Sequence, residues 1–141
     1  MKRAATAVWR GGLKDGKGIL STDSGVLSNT PYSFRMRFEN EKGTNPEELI
    51  AAAHAGCFAM ALSAQLDGAK LTAESLDVKA TVTLDKLESG WAITESHLEL
   101  TAKIPGATQA AFDTAANAAK AGCPVSKLLN AKITLASKLI A

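Results

Sequence analysis

The chain reads as an α+β domain with antiparallel sheets around long, largely buried central helices. Three observations predict this. Segments with a two-residue apolar period fall in blocks at the start, middle and end of the chain, and two helical segments lie between the blocks rather than alternating strand by strand. The first helical segment is apolar on almost every side, the composition of a helix enclosed by its neighbours. The 141 residues are 46% hydrophobic and 21% charged, the balance of an ordinary globular chain, and we read them as one domain over 1–141.

Ala5–Arg10 is the first strand, and Gly11 to Gly16 form a turn before the strand that begins at Gly18 and runs to Thr22. Asp23-Ser24-Gly25 and Asn29-Thr30-Pro31 are turn chemistry. Tyr32–Phe38 alternates, which predicts a strand with Tyr32, Phe34, Met36 and Phe38 on one face and Arg35 and Arg37 on the other. Thr44-Asn45-Pro46-Glu47-Glu48-Leu49 is the clearest helix start. Asn45 caps, Pro46 suits the first helical position, and Glu48 sits where a capping box places its acid. This helix should run to about Leu66 and end at Gly68.

Ser75–Leu84 alternates, Glu88-Ser89-Gly90 is a hairpin-type turn, and Trp91–Ile104 is the returning strand. In it the apolar phase moves from Trp91 and Ile93 to Leu98, Leu100, Ala102 and Ile104, which predicts a bulge near Ser96. A second helix covers Thr108–Ala121, and Cys123-Pro124 restarts helix toward Leu129. Lys132–Leu139 closes the chain as a strand.

Composition excludes several function classes. The net charge of +2 is small and the basic residues are scattered, so no nucleic-acid surface is expected. The N-terminal Met1-Lys2-Arg3 has no apolar run behind it, so no signal peptide is expected. Leu49–Leu66 is interrupted by His54, Ser63 and Gln65, which makes it a poor membrane span. The expected location is the cytoplasm, where a cysteine pair is more often inert or catalytic than a permanent staple.

Cys57 and Cys123 therefore become the residues of interest, open to three readings: inert core residues, a structural disulfide, or a catalytic thiol with its partner. Cys123 precedes Pro124 and falls at a helix N-cap, where free N–H groups favour a thiolate. Cys57 lies mid-helix and needs a nearby cation, for which Arg35 and Arg37 are the candidates. His54, one turn before Cys57, is open to two readings: it polarises that thiol or, as is commoner for a lone histidine in such a helix, it packs with its ring nitrogens satisfied. Glu47 and Glu48 suit the helix start without any catalysis. Glu47 also lies ten residues before Cys57, about 15 Å of helix rise, so the two cannot touch along one helix. Any service of Glu47 to Cys57 must pass through an arginine or come from another chain. A metal site of His54, Cys57 and Cys123 lacks a carboxylate or second histidine at useful spacing.

Four stretches together resemble the OsmC/Ohr family, closest to its OsmC branch. They are Arg37-Phe38-Glu39, Gly43-Thr44-Asn45-Pro46-Glu47-Glu48-Leu49, Ala52-Ala53-His54-Ala55-Gly56-Cys57-Phe58 and Ala121-Gly122-Cys123-Pro124-Val125-Ser126. The resemblance implies a thiol-dependent peroxidase acting on organic hydroperoxides, built as an intertwined two-fold homodimer with sites at the subunit interface. It implies that Cys57 meets the peroxide, Cys123 closes a disulfide with it, Arg37 stabilises the thiolate and Glu47 orients Arg37, with Glu48 beside it in the same motif. It implies no cofactor or metal, and re-reduction by an external dithiol, for which a lipoyl-bearing protein is the candidate. The rival readings are a non-enzymatic redox sensor and a structural protein with inert cysteines.

Overall fold

The computed structural model describes residues 1–140. The elements are β1 (Ala5–Arg10), β2 (Lys17–Thr22), β3 (Thr30–Tyr32), α1 (Phe34–Phe38), α2 (Pro46–Gly68), β4 (Ser75–Leu87), β5 (Gly90–Lys103), α3 (Gln109–Gly122), α4 (Pro124–Leu128) and β6 (Lys132–Ile140). This is an α+β chain with two three-stranded sheets, ordered β1-β2-β3 and β4-β5-β6. Its backbone falls into two compact units, one from Met1 to Leu49 and one from Ile50 onward.

In the first unit β1, β2 and β3 form an antiparallel meander. Gly18 pairs with Trp9 on one side and Tyr32 on the other, and those two rings approach to 5.3 Å between centroids. A Cβ at Gly18 would fall 2.3 Å from the Tyr32 ring, so the aromatic ledge exists because position 18 has no side chain.

The expected strand over Tyr32–Phe38 is not formed past Tyr32, and the segment turns into α1. Ser33 caps that helix by accepting a hydrogen bond from the Met36 amide at 3.2 Å. Phe34 and Phe38 then stack one turn apart, and Arg35 pairs with Glu39 at the same spacing. Five alternating residues satisfy both periods, and the cap and these two pairs decide for helix. Arg35 and Arg37 consequently do not share a face as they would on a strand.

The second unit is built on β4 and β5, joined by a tight turn at Glu88-Ser89 and paired antiparallel along their length. The ladder shifts register where Thr83 faces Glu95 and Leu84 faces Ile93, so Thr94 is the extra residue of a bulge. Beyond it Ser96, Leu98, Leu100 and Ala102 all turn inward and are buried. The expectation of antiparallel sheets fails at β6, which runs parallel to β5 from Glu95↔Lys132 to Lys103↔Ile140. The reason is topological: α3 and α4 carry the chain back to the start of the sheet, as a parallel pair requires.

The core of this unit gathers Phe58, Leu62 and Leu66 of α2, the inward residues of β5, and Phe112, Ala115, Ala116 and Ala119 of α3. Along α2 the buried stripe is His54, Phe58, Leu62 and Leu66, at four-residue spacing. The opposite face, with Ala52, Ala53, Gly56, Met60 and Ala64, is exposed on the chain, and Met60 is 77% accessible. By length and composition alone α2 could cross a membrane. Its His54, hydrogen-bonded on both ring nitrogens inside the protein, is instead the mark of a helix seated on a protein core.

Candidate active site

Arg37 lies in the last turn of α1, and Glu47 in the first turn of α2. Arg37 grips the Glu47 carboxylate side-on: Nη2 donates to Oε1 at 2.7 Å, and Nε lies 3.2 Å from both oxygens. A guanidinium held through two nitrogens of one edge on a largely buried carboxylate is fixed in orientation. The fork uses Nε and Nη2 and leaves Nη1 outside the pair. The guanidinium also lies over the Phe38 ring at 5.2 Å. Beside it is a cavity of about 260 Å³ lined by Trp9, Leu13, Tyr32, Phe34, Arg37 and Phe38. Arg35, the other cation weighed from sequence, pairs with Glu39 and Glu41 on the exposed side of α1.

Glu48 does what the helix start asks of it. Its amide donates to Asn45 Oδ1 at 2.8 Å, and its carboxylate accepts from Thr44 Oγ1 at 3.0 Å. Asn45 also donates from Nδ2 to the Met36 carbonyl, which ties α1 to the start of α2.

In the second unit the two cysteines are unequal. Cys57 is half-buried, and Cys123 is completely enclosed; both are free thiols. Cys123 caps α4 with its sulfur, which accepts from the Ser126 amide at 3.4 Å and the Ser126 hydroxyl at 3.5 Å. Burial opposes ionisation of Cys123. The Ser126 hydroxyl and amide, the Cys57 thiol and the Val125 amide outweigh it and pull the thiol below its usual range. Cys57 moves the other way. Burial raises it, the Val125 amide offsets part of that, and the neighbouring Cys123 adds to the rise. The two sulfurs thus act on one another within one unit, and among the described residues no cation acts on Cys57 to favour its thiolate.

His54 is fully buried. Of the two sequence readings of His54, polarising Cys57 or packing with its nitrogens satisfied, the geometry matches the second: Nδ1 meets Ser96 Oγ at 2.6 Å and Nε2 meets Ser126 Oγ at 2.7 Å. Burial lowers its pKa, so it is neutral near pH 7. Ser96 and Ser126 are the polar partners that sequence reasoning missed. Ser126 had a signal, since it stands three residues after the capping cysteine, and Ser96 had one as the polar residue opening the inward phase of β5. Among the described residues no group of three or more His, Cys, Asp or Glu side chains gathers as a metal site would require.

A family model described as OsmC-like protein matches residues 39–138. Peroxiredoxin OsmC of Escherichia coli (strain K12) is 55% identical over 129 residues, covering 92% of this chain and 90% of its own. The organic hydroperoxide resistance protein of Xanthomonas axonopodis pv. citri (strain 306) is 33% identical over 124 residues, covering 86% and 84%. Among solved structures, the organic hydroperoxide resistance protein OhrB of Bacillus subtilis superposes with a TM-score of 0.71 at 28% identity, over 96% of this chain and 98% of that one.

Proposed function

The chain belongs to the family of OsmC-like proteins, and on that footing we propose that it is a cysteine-based peroxidase that reduces organic hydroperoxides to alcohols. One observation carries the reading: a reachable thiol, Cys57, acts on a fully enclosed one, Cys123. The Cys57 thiolate attacks the outer oxygen of the hydroperoxide. The O–O bond breaks, the alcohol leaves with a proton, and Cys57 becomes a sulfenic acid. Cys123 attacks that sulfur, a disulfide forms, and water departs. An external dithiol restores both thiols by exchange. A lipoyl-bearing protein is the donor class we favour.

Cys57 needs help that its own unit does not supply, because burial disfavours its charge. Arg37 is the cation for that task, and Glu47 keeps its fork turned the right way. The aromatic-walled cavity beside Arg37 suits a hydroperoxide with an organic group. Glu48 supports the site by fixing the start of α2, and His54 supports it through Cys123. The exposed small-residue face of α2 favours a second helix at close range. We therefore include an intertwined two-fold homodimer, in which these helices become central and buried and the Arg37–Glu47 pair of one subunit serves Cys57 of the other. Both units of the chain act in it as one catalytic domain, in the cytoplasm.

The test is turnover of cumene hydroperoxide with dithiothreitol as reductant. Cys57→Ser should lose at least about a hundredfold in rate. Cys123→Ser should turn over slowly or accumulate Cys57 sulfinic acid, visible by mass spectrometry. Equal, negligible rates for wild type and both variants would remove the peroxidase reading and leave a redox sensor or inert cysteines.

A further inference from the structure

Three elements converge on a buried polar chain. Ser96 of β5 meets His54 Nδ1, His54 Nε2 of α2 meets Ser126 Oγ of α4, and that oxygen meets the Cys123 sulfur, at 2.6, 2.7 and 3.5 Å. His54, Ser96 and Cys123 have no accessible surface, and Ser126 has 9%. Burying an imidazole and two hydroxyls gains nothing that a phenylalanine and two alanines would not give a core, so a structural account leaves the chain unexplained.

The proton count gives it direction. A serine hydroxyl has one proton. If Ser126 gives its proton to a Cys123 thiolate, its oxygen must accept from His54 Nε2–H, and Nδ1 must then accept from Ser96. A neutral imidazole meets both demands, and burial keeps His54 neutral. Every donor then points toward the sulfur. When Cys123 holds its proton the same three bonds reverse with no movement of heavy atoms.

We propose that His54 is the positioning residue of Cys123: acting through Ser126, it holds a hydroxyl donor on that sulfur and so supplies the thiolate that closes the disulfide. The inference rests on the peroxidase reading above. In the step concerned, the Cys123 thiolate attacks the sulfur of the Cys57 sulfenic acid. The S–S bond forms, the S–O bond breaks, and hydroxide leaves and is protonated to water. Cys123 is oxidised and the Cys57 sulfur is reduced to the disulfide level. The titratable groups facing Cys123 are Cys57 directly and His54 through Ser126, both from α2. Its remaining partners are the Val125 and Ser126 groups of α4, and among the described residues no lysine, arginine or carboxylate acts on the sulfur.

The test uses the Cys57→Ser protein, where Cys123 is the sole cysteine, and follows thiolate absorbance against pH, which needs no reagent to enter the core. His54→Phe should leave about tenfold less thiolate at neutral pH, the size expected for one charge-assisted hydrogen bond. Ser126→Ala should do the same, and His54→Gln, which keeps an N–H donor, should recover part of it. In the two-cysteine protein, His54→Phe should slow disulfide closure about tenfold while sulfenic acid formation stays within about twofold. An unmoved Cys123 titration in Ser126→Ala, or both steps slowed alike in a folded His54 variant, overturns the proposal. Failure of the underlying peroxidase reading looks different, because the wild type itself would then consume no hydroperoxide.

Discussion

Cys57 and Cys123 are one residue type in opposite settings. Cys123 is pulled down by hydrogen bonds, chiefly from the Ser126 hydroxyl, and Cys57 is pushed up by burial. The reactive species is the thiolate, so the rate of a cysteine rises with pH through its own pKa. A cation at Cys57 moves that rise to lower pH, and its removal moves it back up. Arg37→Met should therefore shift the pH profile of Cys57 oxidation upward and cost about tenfold or more at pH 7, measured as the second-order rate with excess hydroperoxide. Glu47→Gln should fall between, since the guanidinium keeps its charge and loses its orientation. An unmoved midpoint in Arg37→Met would remove Arg37 from the thiolate. The N-cap setting of Cys123 was legible in Gly122-Cys123-Pro124 because capping is a local property. The partners of His54 were not, because Ser96 and Ser126 lie 42 and 72 positions away and only the tertiary fold selects them.

At the scale of elements, most of the chain was readable because its signals are local. Asn45-Pro46 starts α2, and the phase change in β5 pointed to a bulge two residues from where Thr94 forms it. Two features were not readable. The period of Phe34–Phe38 is too short to separate strand from helix, and the direction of β6 depends on where α3 and α4 deliver the chain. The first miss matters for the proposed site, because α1 carries Arg37. A helix of five residues is marginal on its own, so the Ser33 cap has more weight here than in a long helix. Ser33→Ala should cost about 1 kcal/mol, read as a lower urea midpoint. Peroxidase activity should fall further than that of Thr108→Ala, which uncaps α3 in the same way and touches neither Arg37 nor Glu47. Equal activity in the two cap variants would separate α1 from the site.

For the whole molecule, the tension of a single chain is that α2 is apolar on almost every side but buried along one stripe only. Water against Ala52, Ala53, Gly56, Met60 and Ala64 is unfavourable, and small residues at these positions let another backbone come close. The proposed second copy of the chain would answer this, and would also answer the spacing of Glu47 and Cys57 along one helix. The two answers share a consequence that one experiment reads. The Cys57→Ser protein is expected to be inactive, and Arg37→Ala to keep no more than about a tenth of wild-type activity. If Arg37 of one subunit serves Cys57 of its partner, a mixed dimer of the two variants has one site with both residues intact. Unfolding and refolding them together in equal amounts pairs them at random, so half the dimers are mixed and activity should return to about a quarter of wild type. If Arg37 serves Cys57 of its own chain, each site in a mixed dimer lacks one of the two residues, and no activity returns. Sedimentation on the same samples reports whether dimers formed, so a silent mixture of dimers assigns the pair to one chain and a mixture of monomers removes the dimer itself.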